Sequence, residues 1–174
     1  VSMKLRGALA RRENRPVGGY CPIERTLGVL STRSAMLVLR EAFYGATRFE
    51  EFAARADLTD ATTSARLREL VRAGILDKQP YQRPGQRIRH EYVLTAAGQD
   101  LMPALFALLQ WANRHDPPPY PPDLRHDECG EPVTIEARCA SGHVVNADDI
   151  AVTAAGPFGL DDPVTLEDWA AQRP

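Results

Sequence analysis

The 174-residue chain is poor in cysteine, poor in aromatic residues, and without any long apolar run. Its three cysteines, Cys21, Cys129 and Cys139, are odd in number and widely spaced. They form no disulfide framework and agree with a reducing compartment. No stretch approaches the roughly 20 apolar residues that cross a bilayer, so no membrane partner is expected. The amino-terminal stretch has no apolar core of the signal-peptide kind. Lys4, Arg6, Arg11, Arg12 and Arg15 are scattered there among small and polar residues, and a cytoplasmic location is expected. A convergent catalytic set is also missing: Cys139 and His143 make the best pair, and no third group orients them. No enzyme is expected.

What is present is ordinary in amount and uneven in placement. Hydrophobic residues make up 44% and charged residues 25%, as in a globular protein with one domain, or one domain plus a small appendage. The net charge of -2 hides a split. Residues 1–115 carry 18 Lys and Arg against 11 Asp and Glu, a net of +7. Residues 116–174 carry 3 against 12, a net of -9. One part is suited to a polyanion and the other is not.

Apolar periodicity divides the chain further. Residues 1–20 show none and read as a basic, mostly irregular arm. Pro22 suits the first turn of a helix, and Ile23, Leu27 and Leu30 follow at helical spacing. After Ser31-Thr32 a second helix carries Met36, Leu37, Leu39, Arg40 and Phe43 and stops at Gly45. Thr47 is placed to cap a short third helix through Phe49, Phe52 and Ala56. Thr59 is placed to cap a fourth from Asp60 to about Ala73, closed by Gly74.

Ile75 and Leu76 then begin a strand, and residues 88–94 alternate as a second strand does. Between them the chain from Lys78 to His90 holds Pro80, Pro84 and Gly85 and no acidic residue. Thr95 is placed to cap one long helix through Leu101, Leu105, Leu108, Trp111 and Ala112. Four helices, a two-stranded wing and a long helix are the order of a winged helix-turn-helix. The expected fold class is mainly α with a small β component (α+β).

The proline-rich run 116–123 is expected to be a stiff, extended linker. Residues 124–158 read as a small β-rich appendage, with strands at Pro132–Ala140 and Asp149–Thr153. Residues 159–174 read as an acidic tail with one apolar trio, Leu160, Leu166 and Trp169. The domain proper is thus 21–115.

A duplex reader needs a helix with an apolar back, a polar front and flanking positive charge. By the 100° rule Thr63, Leu67, Leu70 and Val71 share the core stripe of the fourth helix. Ala61, Thr62, Ala65, Glu69 and Arg72 lie opposite, with Arg66 and Arg68 on the flanks. Thr59, Thr62, Ala65, Arg66, Arg68 and Arg72 are therefore candidate DNA contacts, Arg66 foremost for a guanine or a phosphate. Lys78, Arg83, Arg87 and Arg89, with His90, supply the wing. A turn at Arg83-Pro84-Gly85 is expected to carry Arg83 outward, for a phosphate or the minor groove.

Several segments in this order resemble a known family. They are Cys21-Pro22-Ile23-Glu24-Arg25, Leu39-Arg40-Glu41, Arg48-Phe49-Glu50-Glu51-Phe52, Leu67-Arg68-Glu69-Leu70 with Gly74-Ile75-Leu76, and Tyr92-Val93-Leu94-Thr95-Ala96-Ala97-Gly98. Over residues 20–115 the chain resembles the HxlR family of bacterial transcriptional regulators. The resemblance implies a homodimer on an operator of two half-sites, joined through the amino-terminal helix and the long helix after the wing. Leu27, Leu101, Leu105, Leu108, Trp111 and Ala112 are the expected interface residues. The long helix supports this independently, because its apolar residues exceed one stripe; the other reading is that the appendage covers them. Two departures stand out. Thr32-Arg33-Ser34 replaces the family's Gly-Lys/Arg-Trp, and Ala61 and Ala65 replace long polar residues.

In some members of the family the cysteine equivalent to Cys21 senses oxidants or electrophiles. The start of a helix, with Arg25 near, favours a thiolate there, so a redox or small-molecule effector is one expectation and an inert, buried Cys21 the other. His126, Cys129, Cys139 and His143 are spaced H-x2-C-x9-C-x3-H, a candidate set for a structural zinc, although zinc ribbons normally use close Cys pairs; no cofactor is otherwise expected. The expected function is DNA-binding transcriptional regulation. The alternative is a winged-helix protein–protein adaptor, against which the acid-free wing and the basic domain weigh.

Overall fold

Short helices with ends written into the sequence build the first part of the molecule. A computed structural model describes residues 2–7, 9–11, 13, 16–17, 21–82, 85 and 87–154. They fall into two bodies: residues 17–102 form one, and the amino-terminal residues up to 16 with those from 103 onward form the other.

In the first body, α1 spans Pro22–Leu30 with Pro22 in its first turn. Helix α2, Arg33–Phe43, is capped by the Thr32 hydroxyl, which accepts from the Ala35 N–H at 3.1 Å. It ends where Gly45 takes a φ of +85°, a conformation that costs side-chain-bearing residues far more. Helix α3 is Phe49–Arg55. The Thr47 cap expected for it is corrected: Arg48 is the N-cap residue, and Glu51 reaches back to accept from the N–H groups of Thr47 (2.9 Å) and Arg48 (3.1 Å). Helix α4, Asp60–Arg72, starts at Thr59 as expected, whose hydroxyl accepts from the Thr62 N–H.

Strands β1 (Leu76–Tyr81) and β2 (Arg89–Leu94) pair antiparallel, with Leu76 opposite Leu94, Lys78 opposite Tyr92 and Tyr81 opposite Arg89. The Tyr92 N–H donates to the Thr47 carbonyl at 2.7 Å, and Arg48 bridges to Glu91. The wing is thereby tied to the start of α3. The core gathers Val38, Leu39, Phe52, Leu67, Leu70 and Leu76, all essentially closed to solvent. Phe52 meets Tyr92 edge-on, with ring centroids 6.2 Å apart.

One long helix after the wing does not form. Thr95 caps α5, Ala96–Gln99, the chain turns at Asp100 and Leu101, and α6 runs from Met102 to His115. Pro103 gives the reason: inside a continuous helix it would lack the N–H for the Gln99 carbonyl and clash with that oxygen. As the second residue of a new helix, within its first turn, it incurs neither cost. Leu101 consequently packs on the core of the first body.

The second body corrects three further expectations. The basic arm is not wholly irregular: β3, Lys4–Gly7, pairs in parallel with β4, Ala151–Ala154, Lys4 opposite Ala151. A single 3-10 turn, Leu9–Arg11, then buries Leu9. Residues 132–140 form no regular strand: the Gln110 amide donates to the Val133 carbonyl (2.8 Å) and accepts from the Ile135 N–H (3.0 Å), and the segment's other backbone pairings are the isolated bridges of Pro132 with Arg125 and of Arg138 with Val144. Among the described residues after 123, β4 is the only strand, so the appendage holds less β-structure than expected. The proline-rich run keeps free of helix and sheet, yet Asn113 donates to the Pro122 carbonyl at 2.8 Å, which fastens the run to α6. The acidic tail and its apolar trio lie outside the described residues. No helix among the described residues is long and apolar enough to cross a membrane.

Candidate nucleic-acid interface

The face of α4 follows from how the helix is begun and what it buries. Thr59 and Thr62 share a hydroxyl–hydroxyl bond of 3.0 Å at its start, and the Thr63 hydroxyl donates to the Thr59 carbonyl at 3.0 Å. That bond satisfies Thr63 inside the core. Thr63, Leu67 and Leu70 are fully buried, and Val71 packs beside them. Burial of this stripe leaves Ala61, Arg68 and Arg72 exposed, with Thr62, Ala65, Arg66 and Glu69 half-buried at the margins.

The arginines on α4 are not equivalent. Arg68 and Arg72 are exposed. Arg66 is ion-paired with Glu69 three residues on, and its Nη1 donates to the Thr32 hydroxyl at 3.4 Å. Glu69, on the face opposite the core stripe, is thus the partner of Arg66.

The wing carries Lys78 exposed on β1, with Arg87, Arg89 and His90 exposed where β2 begins. Arg89 lies 3.4 Å from Glu50 of α3, both largely exposed. Arg83 and Pro84 lie outside the described residues, so the outward turn expected for Arg83 does too; Gly85 between them and β2 is in a turn. Ile88, the first residue of the expected second strand, is 62% exposed and lies one residue before β2.

Two residues that fix this geometry stood in the sequence only as part of a family segment, without a role. Arg48 lies over the Tyr81 ring at 5.3 Å from its centroid, a cation–π contact that braces the base of the wing. Glu51 holds the start of α3, and the two N–H donors together with the Arg55 charge set its carboxyl below the ordinary glutamate range. An acidic residue three places after a helix start was the available signal for Glu51. No local pattern announces Arg48, since Tyr81 reaches it only through the fold.

The other candidates lie apart. Cys21 is a half-buried free thiol at the N-cap of α1. Of the expected interface residues, Leu27 (51%), Leu108 (57%) and Trp111 (57%) are well exposed, whereas Leu105 and Ala112 are half-buried. The four-ligand zinc set does not assemble. His126 Nδ1 lies 3.2 Å from Cys129 Sγ and His143 Nδ1 lies 3.6 Å from Cys139 Sγ. Those are two separate pairs, and among the described residues no three metal-ligating side chains converge.

Comparison with known proteins agrees with this geometry. The HxlR-like helix-turn-helix family matches residues 29–119, just over half of the chain. HTH-type transcriptional regulators of Mycobacterium bovis and Mycobacterium tuberculosis, both uncharacterised, are each 42% identical over 111 residues, covering 63% of this chain and 69% of theirs. The crystal structure of PA1607, a proposed transcription factor, aligns with a TM-score of 0.67 at 32% identity, over 82% of this chain and 97% of that one. A second proposed transcription factor, PA1374 of Pseudomonas aeruginosa, aligns with a TM-score of 0.56 at 34% identity, over 81% and 96%. A winged helix whose fourth helix turns arginines outward beside a hairpin without acidic residues from Lys78 to His90 is therefore no isolated resemblance: the chain belongs to the HxlR-like helix-turn-helix family and is a DNA-binding transcriptional regulator.

Proposed function

We propose that the protein binds its operator as a homodimer, with α4 in the major groove and the β1–β2 wing on the backbone or in the minor groove. The observation that carries the reading is the division of α4. Its buried stripe of Thr63, Leu67 and Leu70 leaves Thr62 and Ala65 at the margin and Arg68 and Arg72 exposed. Small residues admit close approach to base edges, and Ala65 suits a thymine methyl. The flanking arginines and Lys78, Arg87 and Arg89 suit phosphates. The dimer is supported by large apolar side chains left open on α1 and α6: Ile23 at 71% exposure, with Leu27, Leu108 and Trp111. Such residues stay in water at a cost that a second copy would remove.

The test is titration of the purified chain against a random-sequence duplex and duplexes from upstream of its own gene, at two salt concentrations. Tight binding to one upstream duplex that weakens steeply with salt, with weaker binding to the random one, supports the reading. Absence of binding to every duplex at low salt would turn it toward the adaptor function.

A further inference from the structure

Arg66 sits on the helix that reads DNA, yet its side chain is engaged within the protein. Its Nη1 both pairs with Glu69 and reaches the Thr32 hydroxyl, and its Nε is closed to solvent without a hydrogen-bond partner. Only 22% of the Arg66 side chain and 33% of the Glu69 side chain is exposed. Thr32 stands 34 residues earlier and is the N-cap of α2, already accepting from the Ala35 N–H. Arg66 therefore spans from α4 to the beginning of the helix against which α4 packs.

We propose that Arg66 is a positioning residue that fixes α4 against the start of α2, and that Glu69 retains it there, so that Arg66 makes no phosphate contact when the protein binds DNA. The proposal rests on the reading that α4 enters the duplex. A guanidinium offers its donors in one rigid fork. Nη1 is held between Glu69 and Thr32, so a phosphate that approaches this nitrogen must displace a carboxylate to be bound. That carboxylate is half-shielded from water, so its hold on Arg66 is screened less than in an exposed pair. An approaching phosphate also meets the negative charge of Glu69. Phosphate binding then falls to Arg68, Arg72 and the wing, and Glu69 decides how much unspecific affinity the helix has.

Two measurements test this. The first is the salt dependence of binding to a random-sequence duplex, in which each phosphate contact contributes about 0.9 to the slope of log K against log salt. Arg66→Ala is expected to leave the slope unchanged. Glu69→Gln is expected to steepen it by about 0.9, and Glu69→Gln with Arg66→Ala to restore it. A slope flattened by about that amount in Arg66→Ala alone would overturn the proposal, as would an unchanged slope in Glu69→Gln.

The second measurement needs no DNA. A double-mutant cycle of Arg66→Ala and Thr32→Val, read as urea midpoints, is expected to be non-additive; additivity removes the strut. If Arg66→Ala does not fold, Arg66→Lys takes its place, with the same slope and the same lost coupling expected. Should the wild-type chain bind no duplex, the DNA reading falls alone, and the cycle still decides whether Arg66 is the strut.

Discussion

The Thr95 hydroxyl donates to the Gly74 carbonyl oxygen at 2.6 Å and lies 3.2 Å from that of Ile75, while accepting from the Gly98 N–H at 3.0 Å. One hydroxyl thus locks the end of the wing to the end of α4 and caps α5. The Thr-Ala-Ala-Gly run of the sequence acquires its meaning here. Gly98 is buried, and a Cβ on it would overlap the Ile75 carbonyl oxygen and press on Leu94.

Gly98→Ala is accordingly expected to destabilise the protein by about 1–3 kcal/mol through overpacking against backbone. Thr95→Val is expected to cost about 1–2 kcal/mol from the lost cap and hydrogen bond. Urea unfolding measures both, and wild-type midpoints for either variant would show that the lock is idle.

Phe52→Ala removes the largest fully buried side chain of the first body. The expected loss is about 3–5 kcal/mol, with weakened wing order, because Tyr92 then faces a cavity instead of a ring edge. Thermal melts with tyrosine fluorescence report both.

Glu51 gives stability a dependence on pH. Its folded pKa is lowered by the N–H groups of Thr47 and Arg48 and by Arg55, against the opposing pull of burial. A lowered carboxyl contributes stability that is present above the unfolded pKa and lost as pH falls through the folded one. The wild-type chain is therefore expected to lose its advantage over Glu51→Gln in the acid range, below the ordinary value of 4.5. Parallel pH-dependences of the two unfolding midpoints would count against it.

The wing arginines are expected to differ. Arg87 is exposed and Arg89 is held near Glu50. Arg87→Ala is expected to reduce the salt slope on a random duplex by about 0.9. Glu50→Gln is expected to tighten unspecific binding by freeing Arg89. Filter binding across a salt series separates the two, and an unaltered slope in Arg87→Ala would remove the wing from the interface.

The open apolar residues of α6 predict oligomeric state. Leu108→Glu with Trp111→Glu is expected to convert a dimer to monomer in sedimentation while helicity is kept. A mass unchanged from wild type would place the interface elsewhere.

By itself the sequence determined the helices of the first body and the buried stripe of α4. Caps, glycines and apolar spacing act over three or four residues, and Thr32, Thr59 and Gly45 mark helix ends wherever the helices later pack. The break before α6 was legible too, in Pro103, although the apolar rhythm from Leu101 to Ala112 outweighed it. What only the tertiary structure decided were pairings across long separations. Arg66 found Thr32, Thr95 found Gly74, Arg48 found Tyr81, and Gln110 took the place of a neighbouring strand. The amino-terminal strand was invisible for the same reason, since a short, exposed strand carries no burial pattern and exists through its partner at Ala151–Ala154. Local propensity depends on neighbours in the chain, whereas the role of a charged or polar side chain depends on which donor or acceptor folding brings within about 3 Å. On that ground Arg66 reads as a guanine or phosphate contact in the sequence and as a strut in the fold.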